Sequence, residues 1–361
     1  MRARLEPRGG VSAAMMVLTP LIAVGVTLIA GAILFAALGF DPGLALYTFF
    51  VKPVSSLYGL SELFLKATPL AIIAIGLAFG FRANVWNIGA EGQFTLGAVC
   101  GGGVALALHG VDSFLVLPAM ALAGIAGGLA WAAVPAFLRV RFNANEILTS
   151  LMLTYVAILV LSYLVHGPWR DPEGLNFPES RMFEDPALLP VILDETRLSI
   201  AAPIALLIVL AGWLVLSRAF VGFQIKVVGQ SPAAASYAGF SEKKLIWTVL
   251  CASGALAGLA GMFEVSGPIG QLHPVISPGY GFTAIIVAFL GRLHPVGVLF
   301  ASLLVALSYL GGELAQIELK LPLALTGVFQ GMLLFFLLGT DVLIRYRIRF
   351  RPRGARIAAG G

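Results

Sequence analysis

Three short runs collect the polar side chains of an otherwise apolar chain, and their residue types suit the holding of a polar solute better than the breaking of a bond. In the first, Phe81-Arg-Ala-Asn-Val-Trp-Asn-Ile-Gly-Ala-Glu-Gly-Gln93, the residues Asn84, Trp86, Asn87, Glu91 and Gln93 bring amide, indole and carboxylate groups to a stretch interrupted by Gly89 and Gly92. Polar groups within a membrane segment are expensive and by default mark a solute or ion path. Discontinuous helices with convergent side chains are a common way to build such a site. A helix cap at the membrane surface with Trp86 in the interfacial belt is the competing reading. In the second run, Asn143 and Glu146 have the spacing of an N-cap pair ahead of an apolar helix. Thr149 and Ser150 follow as hydroxyls for solute or for helix packing, with Tyr155 further in. The third run goes from Glu264 through Gly267, Pro268, Gly270 and Gln271 to Ser277-Pro-Gly-Tyr-Gly-Phe282. Its Gly and Pro content forbids one straight helix and predicts either a re-entrant element or a plain outer loop. An aromatic such as Trp86 or Phe282 suits the flat face of a purine, and Asn or Gln amides suit its edge, although a sugar would use the same amides.

Other chemistry is poorly supplied. Cys100 and Cys251 lie in apolar runs, and His109, His166, His273 and His294 fall at the ends of predicted spans, so no metal, redox or catalytic constellation is expected. A phosphate-binding Walker A loop requires Gly-Lys followed by Ser or Thr, and no Gly-Lys dipeptide occurs in the chain. Any ATP and Mg²⁺ used by this protein are therefore expected on a partner, with no cofactor in the chain itself.

The elements that must position these residues follow from composition. Of 361 residues, 59% are hydrophobic and 11% charged, with 42 glycines. That is too little charge to cover a soluble surface and fits an all-α polytopic bundle in a lipid bilayer, packed through small residues. About 20 apolar residues cross the ~30 Å hydrocarbon layer. Apolar runs predict about ten spans, at 17–39, 63–81, 92–108, 114–138, 147–166, 198–216, 245–265, 282–290, 296–310 and 321–339. The eighth is too short alone and must be broken or re-entrant and buried in protein. With both termini inside, all but six of the 23 Lys and Arg fall on the cytoplasmic side; Lys52, Lys66, Arg170, Arg181, Arg197 and Lys320 lie outside. The opening residues read as an uncleaved anchor, because the apolar stretch after them is too long for a signal peptide. The basic tail at 341–361 reads as a cytoplasmic, lipid-facing anchor; a net charge of +5 without aromatic interleaving argues against nucleic acid. The whole chain, 1–361, is taken as one transmembrane domain. Residues 167–197 form a large periplasmic loop, polar and Pro-rich, and Trp169, Arg170 and Asp171 in it are candidates for docking a partner.

The longest inner segment, 218–244, contains Val228-Gly-Gln-Ser-Pro-Ala-Ala-Ala-Ser-Tyr-Ala-Gly239. Ser231 is placed as an N-cap, Pro232 as the first helical residue and Gly239 as the stop, with Ser241 capping the next span. So short a helix is marginal alone and must dock on something, whether a partner or its own bundle.

Asn87-Ile-Gly-Ala-Glu-Gly-Gln93, the run from Asn145 through Glu146 to Leu153, Gly167-Pro-Trp169 with Asp171-Pro172, and the segment from Gly229 to Gly239 together resemble permease subunits of bacterial ABC importers. The branch is the one that carries simple sugars, branched-chain amino acids and nucleosides, and the resemblance runs over 14–341. The form of the first motif is similar to that of general nucleoside permeases. The resemblance implies a bacterial inner-membrane protein that works by alternating access. It also implies a cytosolic ATPase whose groove receives residues 231–239, with Gly229, Ser231, Pro232, Ala235, Tyr237 and Gly239 in the coupling segment. A second, homologous permease, most simply a different chain, and a solute-delivering lipoprotein complete the expected assembly. The open alternatives are a pentose importer of the same branch and an ion-coupled secondary transporter.

Overall fold

The computed structural model describes residues 2–7, 13–322 and 324–351. Thirteen α-helices follow one another: α1 (Ala13–Ala37), α2 (Pro42–Phe50), α3 (Leu57–Arg82), α4 (Ala90–Ala107), α5 (Val116–Phe142), α6 (Glu146–His166), α7 (Ala201–Arg218), α8 (Phe220–Gln230), α9 (Pro232–Tyr237), α10 (Glu242–Glu264), α11 (Tyr280–Leu290), α12 (Pro295–Leu319) and α13 (Ala324–Arg345). Every span predicted from the sequence falls on one of these helices. Two elements lie outside those expectations: α2, started by the Asp41 carboxylate, which accepts from the amides of Gly43 and Leu44 at 2.7 and 3.3 Å, and the short helix α8. Two short strands, Arg2–Pro7 and Tyr346–Arg351, pair antiparallel. Of the basic tail at 341–361, residues 341–345 end α13 and 346–351 form one strand of this ribbon, while the remainder, including Arg353 and Arg356, lies outside the described residues.

Among the described residues, seven helices are long and apolar enough to cross a membrane: those over Leu18–Ala37, Leu57–Arg82, Val116–Phe142, Glu146–His166, Ala201–Arg218, Glu242–Ile269 and Pro295–Leu319. Three of the predicted spans fall outside these seven: α4, α11 and α13, the last with a shorter apolar stretch over Gly327–Thr340, and for α4 and α11 there is a physical reason. The first turn of α4 carries Glu91 and Gln93 but is covered by α5, α6 and α10, and the 11-residue α11 packs on α3 and α4. Helices shielded from lipid by protein need neither full length nor uniform apolarity.

The chain forms two compact units, 1–52 with 311–361, and 53–310. In the first, Phe35, Phe49 and Phe329 stack with ring centroids 5.0 to 5.9 Å apart, and Lys52 pairs with Glu318 at 2.5 Å. In the second, α3 and α10 are the most enclosed of the spanning helices, and α10 lies against α3, α4 and α5. At the centre, Gly97 of α4 and Gly128 of α5 both meet Gly258 of α10, so the three backbones touch where any larger residue would hold them apart.

Candidate functional site

Helix α3 ends at Arg82, Asn84 takes a left-handed turn (φ 57°), and residues 83–89 run without helical structure to the start of α4. This is the break that the first polar run predicts. Its backbone amides are held from outside: Trp86 N donates to a Glu146 carboxylate oxygen at 3.2 Å, and Ile88 N donates to Ser150 Oγ at 3.2 Å. Inside the break, Asn87 Nδ2 donates to Gln93 Oε1 (2.7 Å) and to Ser253 Oγ (3.0 Å). Gln93 Nε2 returns a hydrogen bond to Asn87 Oδ1 at 3.0 Å, an oxygen that also accepts from Gly89 N. One turn along, Glu91 accepts from Gly281 N at the first turn of α11 (2.6 Å), which ties the start of α4 to α11.

Asn87, Glu91 and Gln93 are thus brought together, buried and paired with protein, and they present no open surface. Ser150 is buried as well and serves the break, whereas Thr149 bonds back to Asn145 O and stays half-exposed. Trp86 is not a free platform. It stacks with Phe81 and Phe289 at centroid distances of 5.0 and 5.8 Å, and its indole N–H donates to Asn84 Oδ1. Phe282 is exposed one residue beyond Gly281. The predicted N-cap pair is corrected. Asn143 is the left-handed residue that closes α5 (φ 53°), and the cap of α6 is Asn145, which accepts from the amides of Ile147 and Leu148. Glu146 points instead to Arg139, with which it forms an ion pair. The pair failed as an N-cap because α5 ends directly ahead of α6 and the spacing cannot tell a closing Asn from an opening one.

The third run resolves into a helix end. After α10 the chain makes a π-turn over Val265–Ile269 that contains Pro268, and it stops at left-handed Gly270. Residues 271–279 then run without helix to α11, where Ser277 Oγ accepts from the amides of Gly279 and Tyr280. Residues 167–197 are fastened to this segment. Ser180 N donates to Leu272 O, Phe183 N to Gly270 O and Leu189 N to Ser266 O, each at 2.8 Å. Trp169 lies on Gly103 of α4, and Asp171 accepts from Glu173 N, so of the three expected docking residues Arg170 alone is exposed. Burial holds the nearby imidazole of His273 below its usual value, an effect partly offset by the charge of Glu179.

At the opposite end lies the segment expected to couple. Ser231 accepts from Ala234 N as the cap of α9, Pro232 is its first residue and Gly239 (φ 78°) ends it; Ser241 then caps α10 by accepting from Lys244 N. The two sides of α9 differ sharply. Tyr237 is 99% exposed, and Ala235 is 1% exposed, seated in an apolar cluster with Ala83, Val85, Ile225, Val228 and Leu250. Gly229 of α8 lies against the Arg82 carbonyl, so close that a Cβ there would collide with it. Residues that sequence reasoning missed complete this arrangement: Ser253, a lone serine in an apolar helix, and Phe289, one aromatic among many, carried no distinguishing signal.

Comparison with known proteins fits this arrangement. Residues 59–338 match the family described as branched-chain amino acid transport system / permease component. The glucose ABC transporter permease protein TsgB13 of Haloferax volcanii is 36% identical over 97% of this chain and 95% of its own. The guanosine ABC transporter permease protein NupP of Bacillus subtilis is 31% identical over 92% and 94%. A second guanosine permease of the same organism, NupQ, is 26% identical over 66% and 76%. A multi-pass helical bundle, a broken polar segment braced from three helices, and full-length similarity to these permeases converge on one conclusion: the chain belongs to the branched-chain amino acid transport system permease family and is the membrane-spanning permease of a sugar or nucleoside ABC importer, a transport component without an ATPase site of its own.

Proposed function

We propose that the chain forms half of the solute path of a nucleoside importer, purine nucleosides being the favoured cargo. It works by alternating access, driven by a cytosolic ATPase that binds ATP and Mg²⁺ and receives α9. A second, different permease and a solute-binding lipoprotein complete the assembly in the bacterial inner membrane. Residues 167–197 face the periplasm and offer Arg170 to the lipoprotein, while α9 and both termini are cytoplasmic. The observation that carries this reading is the shared cluster of Ala235 and Val85. Ala235 at the buried foot of α9 and Val85, two residues before Asn87, belong to one apolar cluster, so a pull on α9 has a packed route to the paired Asn87, Gln93 and Ser253. The polar knot is then what must rearrange between outward and inward opening, with Glu91, Thr149 and Phe282 at its border.

The guanosine-named relatives and the first polar motif support the nucleoside cargo, and the glucose-named relative supports a sugar as the second reading. The ion-driven alternative is set aside, since these relatives are ABC permeases. Uptake of labelled guanosine, glucose and ribose by the reconstituted assembly decides between the cargoes. Guanosine uptake that requires ATP and the ATPase is expected; saturable uptake of a sugar with none of guanosine would overturn the nucleoside reading, and uptake indifferent to the ATPase would overturn the coupling.

A further inference from the structure

Helix α6 buries one face and leaves an unusual one outside. Ser150 and Thr154 lie on Gly89 and Gly92 at the start of α4, and Ala157, Leu161 and Val165 continue the buried row. The opposite row runs through Met152, Tyr155, Leu159 and Tyr163, all exposed, with Tyr155 at 58% and Tyr163 at 69%. The i, i+3, i+4 spacing stacks these side chains along one line of the helix. At 1.5 Å per residue, Tyr155 sits about 13 Å from the start of the 21-residue α6, close to its midpoint, and Tyr163 about 25 Å along. Tyr163 is near enough to the helix end for an interfacial aromatic. Tyr155 is not.

Neither phenol has a hydrogen-bond partner among the described residues. A hydroxyl at the centre of the hydrocarbon layer with nothing to bond is costly, because lipid tails offer no acceptor or donor. The exposed rows of other spanning helices obey that rule. On α7 the exposed row is Leu206, Leu207, Leu210 and Leu214, and on α5 it includes Leu122, Leu129, Val134 and Phe137. The phenol-bearing row of α6 therefore suits lipid poorly.

We propose that the Met152, Tyr155, Leu159 and Tyr163 row of α6 lines the water-filled solute path, with the Tyr155 ring as a stacking contact for the solute at mid-membrane. A flat solute with a polar edge, such as a nucleoside base, matches a ring that offers an apolar face and a hydroxyl together. The lining rests on the permease assignment alone; the base contact rests in addition on the nucleoside reading.

The test uses the whole transporter in proteoliposomes, with Cys100 and Cys251 replaced by alanine and single substitutions Tyr155→Cys, Tyr163→Cys and, as lipid-side references, Leu207→Cys and Leu210→Cys. A membrane-impermeant cationic methanethiosulfonate is applied from both sides; it reacts with the thiolate, a form that exists only where water reaches the sulfur. Reaction of the Tyr155→Cys variant at least about tenfold faster than the Leu207→Cys variant is expected, since a lipid-buried thiol ionises so rarely. Equal, slow rates would overturn the lining. Guanosine should slow the reaction at the Tyr155→Cys variant; protection by glucose and not by guanosine would support the lining while overturning the base contact. Uptake supplies a second readout. Tyr155→Phe should keep the guanosine KM within about twofold and Tyr155→Leu raise it about tenfold, as loss of one base-aromatic stack does. An unchanged KM in Tyr155→Leu would refute the stacking role even with a reactive thiol at that position.

Discussion

Asn87 shows how a polar side chain is made tolerable inside an apolar bundle. All its amide capacity turns inward, to Gln93, Ser253 and the Gly89 amide, so that nothing is left for solute in the state described. Removing either partner strands the other, and interhelical polar pairs in membranes couple by about 0.6–1.7 kcal/mol. A double-mutant cycle on Asn87→Ala and Gln93→Ala, read by unfolding in detergent, should return a coupling of that size; simple additivity would show that the pair is incidental. A second residue-scale prediction concerns His294, in the turn between α11 and α12. Burial, and then the charge of Arg82, push its imidazole below the usual value. The unfolded chain therefore takes up the proton first as pH falls. This residue's contribution to stability is complete above about pH 6.5 and is lost as pH drops through the lower folded value. His294→Gln should flatten the loss of thermal stability as pH falls below about 6.5, and an unaltered pH profile would show that the imidazole is not the sensor.

At the scale of elements, α9 has a foot and a tip, and substitutions at the two should separate folding from coupling. Tyr237→Glu changes only the exposed tip, so stability should move by no more than about 0.5 kcal/mol while solute-stimulated ATP hydrolysis by the partner collapses. Ala235→Glu puts a charge into the apolar cluster and should destabilise the bundle by about 3 kcal/mol or more, which makes it a poor test of coupling. Retained hydrolysis in Tyr237→Glu would remove the tip from the docking surface. Helix α8 is the second link, since Gly229 lies directly on the carbonyl at the end of α3. Gly229→Val should force the two apart, at a cost of about 1–3 kcal/mol, and uncouple hydrolysis from uptake. Full transport in that variant would show that motion does not pass through this contact.

For the whole molecule, the polar segments sort by depth and cover. The Asn87 knot is enclosed by α3, α6 and α10; residues 167–197 are clasped by backbone hydrogen bonds to the end of α10; α9 stands on the apolar cluster at the other end. What must face water along the membrane is then left to the outer surfaces, where α6 alone of the long helices shows an exposed tyrosine near its middle among the described residues. On the proposed reading, alternating access would be a change in how α9, α8 and the broken segment pack.

Much of this was legible in the sequence, for local reasons. Apolar run length marked every predicted span, because only helices satisfy their own backbone in lipid. Ser231, Pro232 and Gly239 specified α9 through cap, first residue and stop, each a property of a few consecutive dihedrals. Tertiary structure alone decided which polar residues face one another. Asn143 and Glu146 had the spacing of a cap, yet one closes α5 and the other pairs with Arg139. Asn87 and Gln93 had the chemistry of a solute site, yet they hold each other and Ser253, 166 residues away in the chain. Spacing reports what one helix can do for itself; the partner of a buried amide is whatever another helix brings within 3 Å, and that depends on the glycine contacts that set how the helices cross.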